Sequence, residues 1–349
     1  MSNSSMAKVS VSAKEAGYRM PEEAEKHERT FMQWPVNNVV HSDPSFLKML
    51  QQSIADVANT ISEFEPVVML MDAAYEKSAR NRLSERVTIW HIPTDDLWCR
   101  DSGPLFVKNK DGGLAISDLN FNGWGNKQLH ENDGRIARRV AEYLDLPVFD
   151  NGLVGEAGGF ESDGQGTLIA HESSWINPNR NADSRQEVET RLLEAVGGDQ
   201  LIWAPGVKGA DITDYHIDSL ARFVTPDTIL IQLPDEIDTR DPWSASAYET
   251  YDILKTATKP GGGAFELLVL SEPFDTRVTS PDFVAAYVNY YICNGGVIAA
   301  EFGDRSKDEA AQTMLSDLYP DREIVMLNVD PIGETGGGIH CATQQQPAT

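Results

Sequence analysis

The sequence predicts an α/β fold, and three observations carry that prediction. From Met20 onward, short apolar runs rich in β-branched residues alternate with stretches of helical periodicity. The two kinds of segment are interleaved from end to end, whereas separate all-α and all-β parts would sort them into blocks. The 349 residues are 41% hydrophobic and 24% charged, ordinary globular usage for a chain long enough to bury a core.

In chain order, strands are predicted at Val67 to Met71, Val87 to Ile92, Leu114 to Leu119, Thr167 to Ala170, Thr228 to Leu233, Phe265 to Leu270, Val297 to Phe302 and Ile324 to Leu327. Amphipathic helices fall between them. The clearest is Phe46 to Ile61, where Leu47, Leu50, Ile54, Val57 and Ile61 recur at helical spacing. Others are Gly134 to Leu144, Arg185 to Val196, Ser246 to Ala257 and Lys307 to Leu318. No Pro- or Gly/Ser-rich linker divides the chain, so residues 20–349 are expected to form a single domain behind a polar, disordered tail over residues 1–19.

Composition excludes several partners. Asp and Glu number 54 against 29 Lys and Arg, a formal net charge of -25 with no basic run, which argues against nucleic acid and against an anionic membrane surface. Solubility alone accounts for most such acidity, and a cationic partner is the functional alternative. Cys99, Cys293 and Cys341 are too few and too scattered for a disulfide framework or a structural zinc site, and they read as free thiols of a reducing compartment. With no apolar stretch long enough for a signal peptide or a membrane span, the expected location is cytoplasmic.

Gly-rich or charged segments sit at the strand ends: DLWCRDSGP, GEAGGFESDGQGT, GADITDYHID, ICNGG and GETGGGIHC. Five of them at similar intervals suggest one site assembled from loops, and a hidden repeat. Gly336, Gly337 and Gly338 allow close backbone approaches just ahead of Cys341, a candidate nucleophile if a neighbour stabilises its thiolate. Cys99 and Cys293, flanked by apolar or aromatic residues, read as small core residues. His340 would point away from Cys341 in an extended segment, whereas His216 and Asp218 would share one face, as a proton shuttle and a charge clamp do. Around Trp98, the acids Asp95, Asp96 and Asp101 offer carboxylates that match a guanidinium fork, unless Arg100 simply pairs with one of them to stiffen a turn.

Taken together and in order, these segments resemble the agmatine deiminase family and the bacterial-type peptidylarginine deiminases, within the guanidino-group-modifying enzymes. The resemblance runs through Met20-Pro21, His27 to Thr30, Trp34-Pro35, Trp98 to Pro104, Phe121 to Gly125, Glu156 to Thr167, Asn177 to Asn181, His216 to Asp218, Tyr287 to Gly296 and Gly336 to Gln345. It implies a five-bladed α/β propeller of pseudo-repeated ββαβ units, the pentein fold, and a reaction needing neither cofactor nor metal. By position, Asp101 and Asp218 would clamp the guanidinium, each raising the other's pKa until a cation binds. Cys341 would attack its carbon to give an amidino-cysteine, and His216 would protonate the departing amine and then activate water. Glu156 would hold the guanidinium or the water, with Trp98, Asp96, Asn294, Trp124 and Gly338 completing the substrate-binding wall. The implied reaction converts agmatine to N-carbamoylputrescine and ammonia in polyamine synthesis, and homo-oligomers are common to the resemblance. Two positions depart from the family pattern: Tyr215 stands where a glycine is usual, and Ala157-Gly158 where a Gly-Gly pair is usual. Tyr215 weighs on the substrate tail, so another guanidino compound or a C-terminal peptidyl arginine is the alternative substrate. Arg180, Arg222 and Lys208 are the bases that could meet a substrate carboxylate. A binding protein with the clamp but no turnover would need neither Cys341 nor His216.

Overall fold

A computed structural model describes residues 11–36 and 39–349. Its mixed α/β domain contains five separate sheets that share one wiring. In each, a first strand lies antiparallel to a second, and the second crosses through a helix to a parallel third. The units are Leu105–Asn109, Leu114–Ser117 and Val148–Phe149; Phe160–Ser162, Thr167–His171 and Gln200–Ala204; Ala221–Thr225, Thr228–Leu233 and Glu266–Ser271; and Tyr291–Cys293, Gly296–Ala300 and Glu323–Leu327. The fifth is made from both ends of the described chain. Thr343–Pro347 pairs antiparallel with His27–Gln33, which continues in parallel to Val67–Leu70 and Val87–Trp90. The repeat suspected from loop spacing is therefore present in topology, although no sequence identity betrays it.

The crossover helices are Pro44–Ile61, Ile136–Leu144, Arg185–Val196, Pro242–Thr256 and Arg305–Leu318. The first begins where the Asp43 carboxylate accepts hydrogen bonds from the Ser45 and Phe46 amides with Pro44 in the first turn, and it buries the five residues whose spacing predicts it. Each such Leu or Ile, taken from water, stabilises by about 1.5–3 kcal/mol. Ser184 and Glu187 close a capping box at the start of Arg185–Val196.

Three expectations are corrected. Residues 11–19 are ordered: Tyr18–Arg19 pairs with Leu105–Asn109, Ala13 is buried, and Lys14 and Arg19 reach Asp199. Residues 1–10 lie outside the described residues. The strands His27–Gln33 and Thr343–Pro347 escape a hydrophobic-pattern reading because they are polar yet buried, with Gln345 accepting from Arg100 Nη1 at 2.9 Å. The region from Ile339 to Ala342 is a turn rather than an extended segment. Among the described residues no helix is long and apolar enough to cross a membrane.

Candidate active site

Each of the five units contributes to one site, and always from the few residues that lead into its first strand. Asp101 lies on the short helix Cys99–Ser102 ahead of Leu105–Asn109, and Glu156 precedes the 3-10 turn Ala157–Gly159 that enters Phe160–Ser162. His216 caps the 3-10 turn Ile217–Ser219, which carries Asp218 into Ala221–Thr225. Asn289 and Cys341 stand just before Tyr291–Cys293 and Thr343–Pro347. His216 and Asp218 thus converge through a helical turn, and the shared face of an extended segment is not the reason.

The Cys341 thiol is the centre. Its Sγ lies 3.2 Å from Asn289 Nδ2 and 3.5 Å from Asp218 Oδ2, and its amide donates to Asn289 Oδ1. The glycine run has distinct uses here. A Cβ at Gly337 would fall 2.4 Å from the Trp98 ring, and one at Gly338 would fall 2.4 Å from Asn289 Oδ1. Asn289, which the sequence reading does not single out, is the asparagine in contact with the thiol. Asn294 instead exchanges hydrogen bonds with the His27 backbone and Glu65 at a hairpin. Position within the repeat, just ahead of a first strand, is the signal that singles out Asn289.

Opposite the thiol, Asp101 accepts from Trp124 Nε1 at 2.8 Å, and its Oδ1 is buried without a hydrogen-bond partner. Asp218 Oδ1 is buried and unpartnered too. Two orphaned carboxylate oxygens in one pocket are costly unless something cationic is meant to sit between them. Burial, then Glu156 and Asp218, outweigh His216 and push the Asp101 carboxyl up to about 6. Asp218 behaves differently from the expected mutual rise. Burial opposes its charge, but the hydrogen bond and charge of His340, with His216 and Arg100, hold it below the usual carboxylate range. Burial is likewise the largest influence on His216, and Asp101, Glu156 and Asp218 overcome it to raise the imidazole to about 9. The Cys341 thiol is pushed well up by burial and by Asp218 and Asp101, against hydrogen bonds from Gly338 and Asn289.

Glu156 is turned toward protein groups. Arg180 Nε lies 2.8 and 2.9 Å from its two oxygens, and His216 Nε2 lies 3.2 Å from Oε2. Arg180 also reaches Asp214 at 2.8 Å, so Glu156 orients and charges His216 from a braced position. Asp96 is likewise occupied, by His41 at 2.6 Å, Gln128 at 2.6 Å and the Leu97 amide, and it faces a neighbouring cavity walled by Trp98 and Trp124. Arg100 pairs with Glu23 and not with the acids beside it.

Trp98, Trp124, Asp101, His216, Asp218, Gly337 and Cys341 line a cavity of ≈ 490 Å³. Tyr215 lines it as well, at φ 70, with its ring against His171 and Trp243. No Lys or Arg is among the described lining residues, whereas Asp211, Asp241, Glu272, Asp282 and Glu334 are. Of the three bases considered for a substrate carboxylate, Arg180 and Arg222 are consumed by internal ion pairs, and Lys208 does not line the cavity.

Comparison with known proteins gives this geometry its class. Residues 19–347 match the family model described as Porphyromonas-type peptidyl-arginine deiminase, and the chain belongs to that family. A relative from Streptomyces coelicolor, named as a candidate agmatine deiminase, is 35% identical over 340 residues, covering 95% of this chain and 99% of its own. One from Legionella pneumophila, named likewise, is 32% identical over 97% of both chains. Among solved structures, an agmatine deiminase of Enterococcus faecalis superposes with a TM-score of 0.88 at 27% identity, over 98% of this chain and 100% of that one.

Proposed function

We propose that this protein hydrolyses the guanidinium group of agmatine, releasing ammonia and N-carbamoylputrescine. The observation that carries the reading is the pair of buried, unpartnered oxygens on Asp101 and Asp218, set around the Cys341 thiol in a cavity whose described lining has no basic side chain except His216. A planar cation with N–H donors on both edges satisfies both oxygens at once.

The chemistry follows from the charges. By themselves the two carboxylates disfavour a thiolate. A bound guanidinium offsets them, the thiol gives up its proton to solvent as the cation settles, and the sulfur attacks the guanidinium carbon. His216, held as imidazolium by Asp101 and Glu156, donates a proton to the departing nitrogen, and ammonia leaves an amidino group on sulfur. The neutral imidazole then takes a proton from water, which adds to the amidino carbon. Breaking the C–S bond restores the thiolate and releases the ureido product. Asn289, donating to Sγ, steadies the sulfur when it carries charge. The outer cavity selects for an ammonium tail, since its acids would repel the carboxylate of arginine.

The common placement of Asp101, Glu156, Asp218, Asn289 and Cys341 ahead of five first strands supports a five-bladed propeller with the cavity on its axis. Three buried free thiols fit a reducing, cytoplasmic setting. The test is to assay ureido product and ammonia with agmatine, arginine and an arginine-terminated peptide separately. Turnover of agmatine alone is expected; hydrolysis of none, or of arginine in preference, would overturn the assignment.

A further inference from the structure

The two carboxylates facing the cavity are built differently. Asp101 has Trp124 as its hydrogen-bonding neighbour, with His216 Nδ1 at 3.6 Å. Asp218 is gripped from behind. Its Oδ2 lies 2.8 Å from His340 Nδ1 and 3.5 Å from Cys341 Sγ, which leaves Oδ1 free toward the cavity. His340 is buried and does not line the cavity. Its other nitrogen, Nε2, lies 2.9 Å from Glu23 Oε2. Glu23 is anchored in turn by Arg100 Nη2 at 3.0 Å, Arg222 Nη2 at 3.1 Å and the Ile292 amide at 2.9 Å.

An ionised carboxylate only accepts hydrogen bonds, so the ring is the donor to Asp218 Oδ2. The Glu23 to His340 to Asp218 chain is therefore a directed one. It begins on two buried arginines and ends on the oxygen beside the nucleophile.

We infer that His340 is a positioning residue for the reaction: through Nδ1 it fixes the rotation of the Asp218 carboxylate, so that one oxygen rests against Cys341 and the other is presented to the guanidinium. Without that bond Asp218 can turn its free oxygen away, and neither Asn289 nor His216 replaces the missing donor at Oδ2. The inference rests on the guanidinium reading of the cavity, and its test is chosen to be separable from the fate of the substrate assignment.

That test compares alkylation of Cys341 by cationic 2-chloroacetamidine and neutral 2-chloroacetamide, followed by mass spectrometry. In both reactions the sulfur displaces chloride, so the ratio of rates reads the carboxylate clamp without requiring turnover. Failure of the agmatine assignment would show separately, as absent hydrolysis by the unmodified protein. His340→Asn puts an amide nitrogen near the Nδ1 position and keeps the donation to Asp218, whereas His340→Gln puts it near Nε2 and keeps only the contact to Glu23. Since hydrogen bonds to charged groups exceed neutral ones, the cationic preference is expected to stay within about threefold in the Asn variant and to fall roughly tenfold to a hundredfold in the Gln variant. A Gln variant with the unmodified preference, equal losses in both variants, or no cationic preference in the unmodified protein would each overturn the inference. Should the His340 variants fail to fold, Glu23→Gln removes the counter-charge behind the ring. It is expected to lower the preference by about threefold or more, and an unchanged ratio would overturn the inference equally.

Discussion

Replacing Asp101 by Asn is expected to damage activity and strengthen the fold, and both effects can be sized. The Asp101 side chain is 4% exposed, and its carboxyl is raised from 3.8 to about 6. At roughly 1.4 kcal/mol per pKa unit, keeping it ionised without a bound cation costs about 3 kcal/mol, with the partial relief from His216 already counted. For an acid whose folded-state pKa is raised, that cost is fully present above about pH 6 and vanishes as pH falls below the unfolded value near 4. The amide variant, which can still accept from Trp124, should therefore be more stable than the unmodified protein by about 3 kcal/mol at pH 8, with no such advantage at pH 4. Its kcat/KM for agmatine should fall by roughly a hundredfold to several thousandfold, because one partner of a buried ion pair is gone. Urea denaturation across pH 4–8 and steady-state kinetics measure the two halves. A variant less stable at pH 8, or a stability gain independent of pH, would refute the reading of Asp101 as a carboxylate only partly compensated by His216 and awaiting a second cation.

Other perturbations have equally definite outcomes. The kcat/KM profile for agmatine should be bell-shaped: it falls at low pH as Asp101 protonates near 6, and at high pH as His216 loses its proton near 9, so a rate still climbing at pH 10 would contradict the acid role of His216. Gly158→Ala places a Cβ 2.8 Å from Asp101 Oδ1, 2.9 Å from His216 Nδ1 and 3.1 Å from Asp218 Oδ2. Overpacking there should cost about 1–3 kcal/mol, seen mainly as lost kcat/KM, and wild-type kinetics would show that the three groups are not held as described. Arg180→Met leaves the buried Glu156 carboxylate with His216 as its remaining side-chain partner, while Asp214 keeps Lys127, and should lower unfolding free energy by about 3 kcal/mol by urea titration, whereas a loss below 1 kcal/mol would mean that Glu156 is not braced as the distances imply.

The alternation of helices and strands was legible because crossover helices and second strands, such as Thr228–Leu233, follow apolar periodicity closely. First strands were harder. Ala221–Thr225 carries the buried Arg222, and Thr343–Pro347 carries a run of three buried glutamines, so their burial depends on polar partners that no periodicity encodes. Motif chemistry identified Cys341, His216, Asp218 and Asp101 as residues to watch, and the structure brings these together. What it could not supply was direction. Asp96 and Glu156 carry the right chemistry but spend it on His41 and Gln128 and on Arg180 and His216. Asn289 and Asn294 differ by position in a hairpin that only the tertiary wiring defines. In an extended segment His340 would point away from Cys341. A turn occupies that place, and the ring's partner proves to be the carboxylate next to the thiol.

The sheet that joins Thr343–Pro347 to His27–Gln33 also bears on how the protein assembles. Four complete units lie between those strands in sequence and can form from local contacts, whereas this pairing must close a loop of most of the chain, a slow step in which entropy is lost before contacts compensate. Cys341 stands just ahead of the closing strand, and Asp101 and Asp218 lie on segments formed earlier. During refolding the thiol should therefore join the carboxylates only at the final docking event. Return of agmatine hydrolysis would track the slowest kinetic phase even where most helical signal has already recovered.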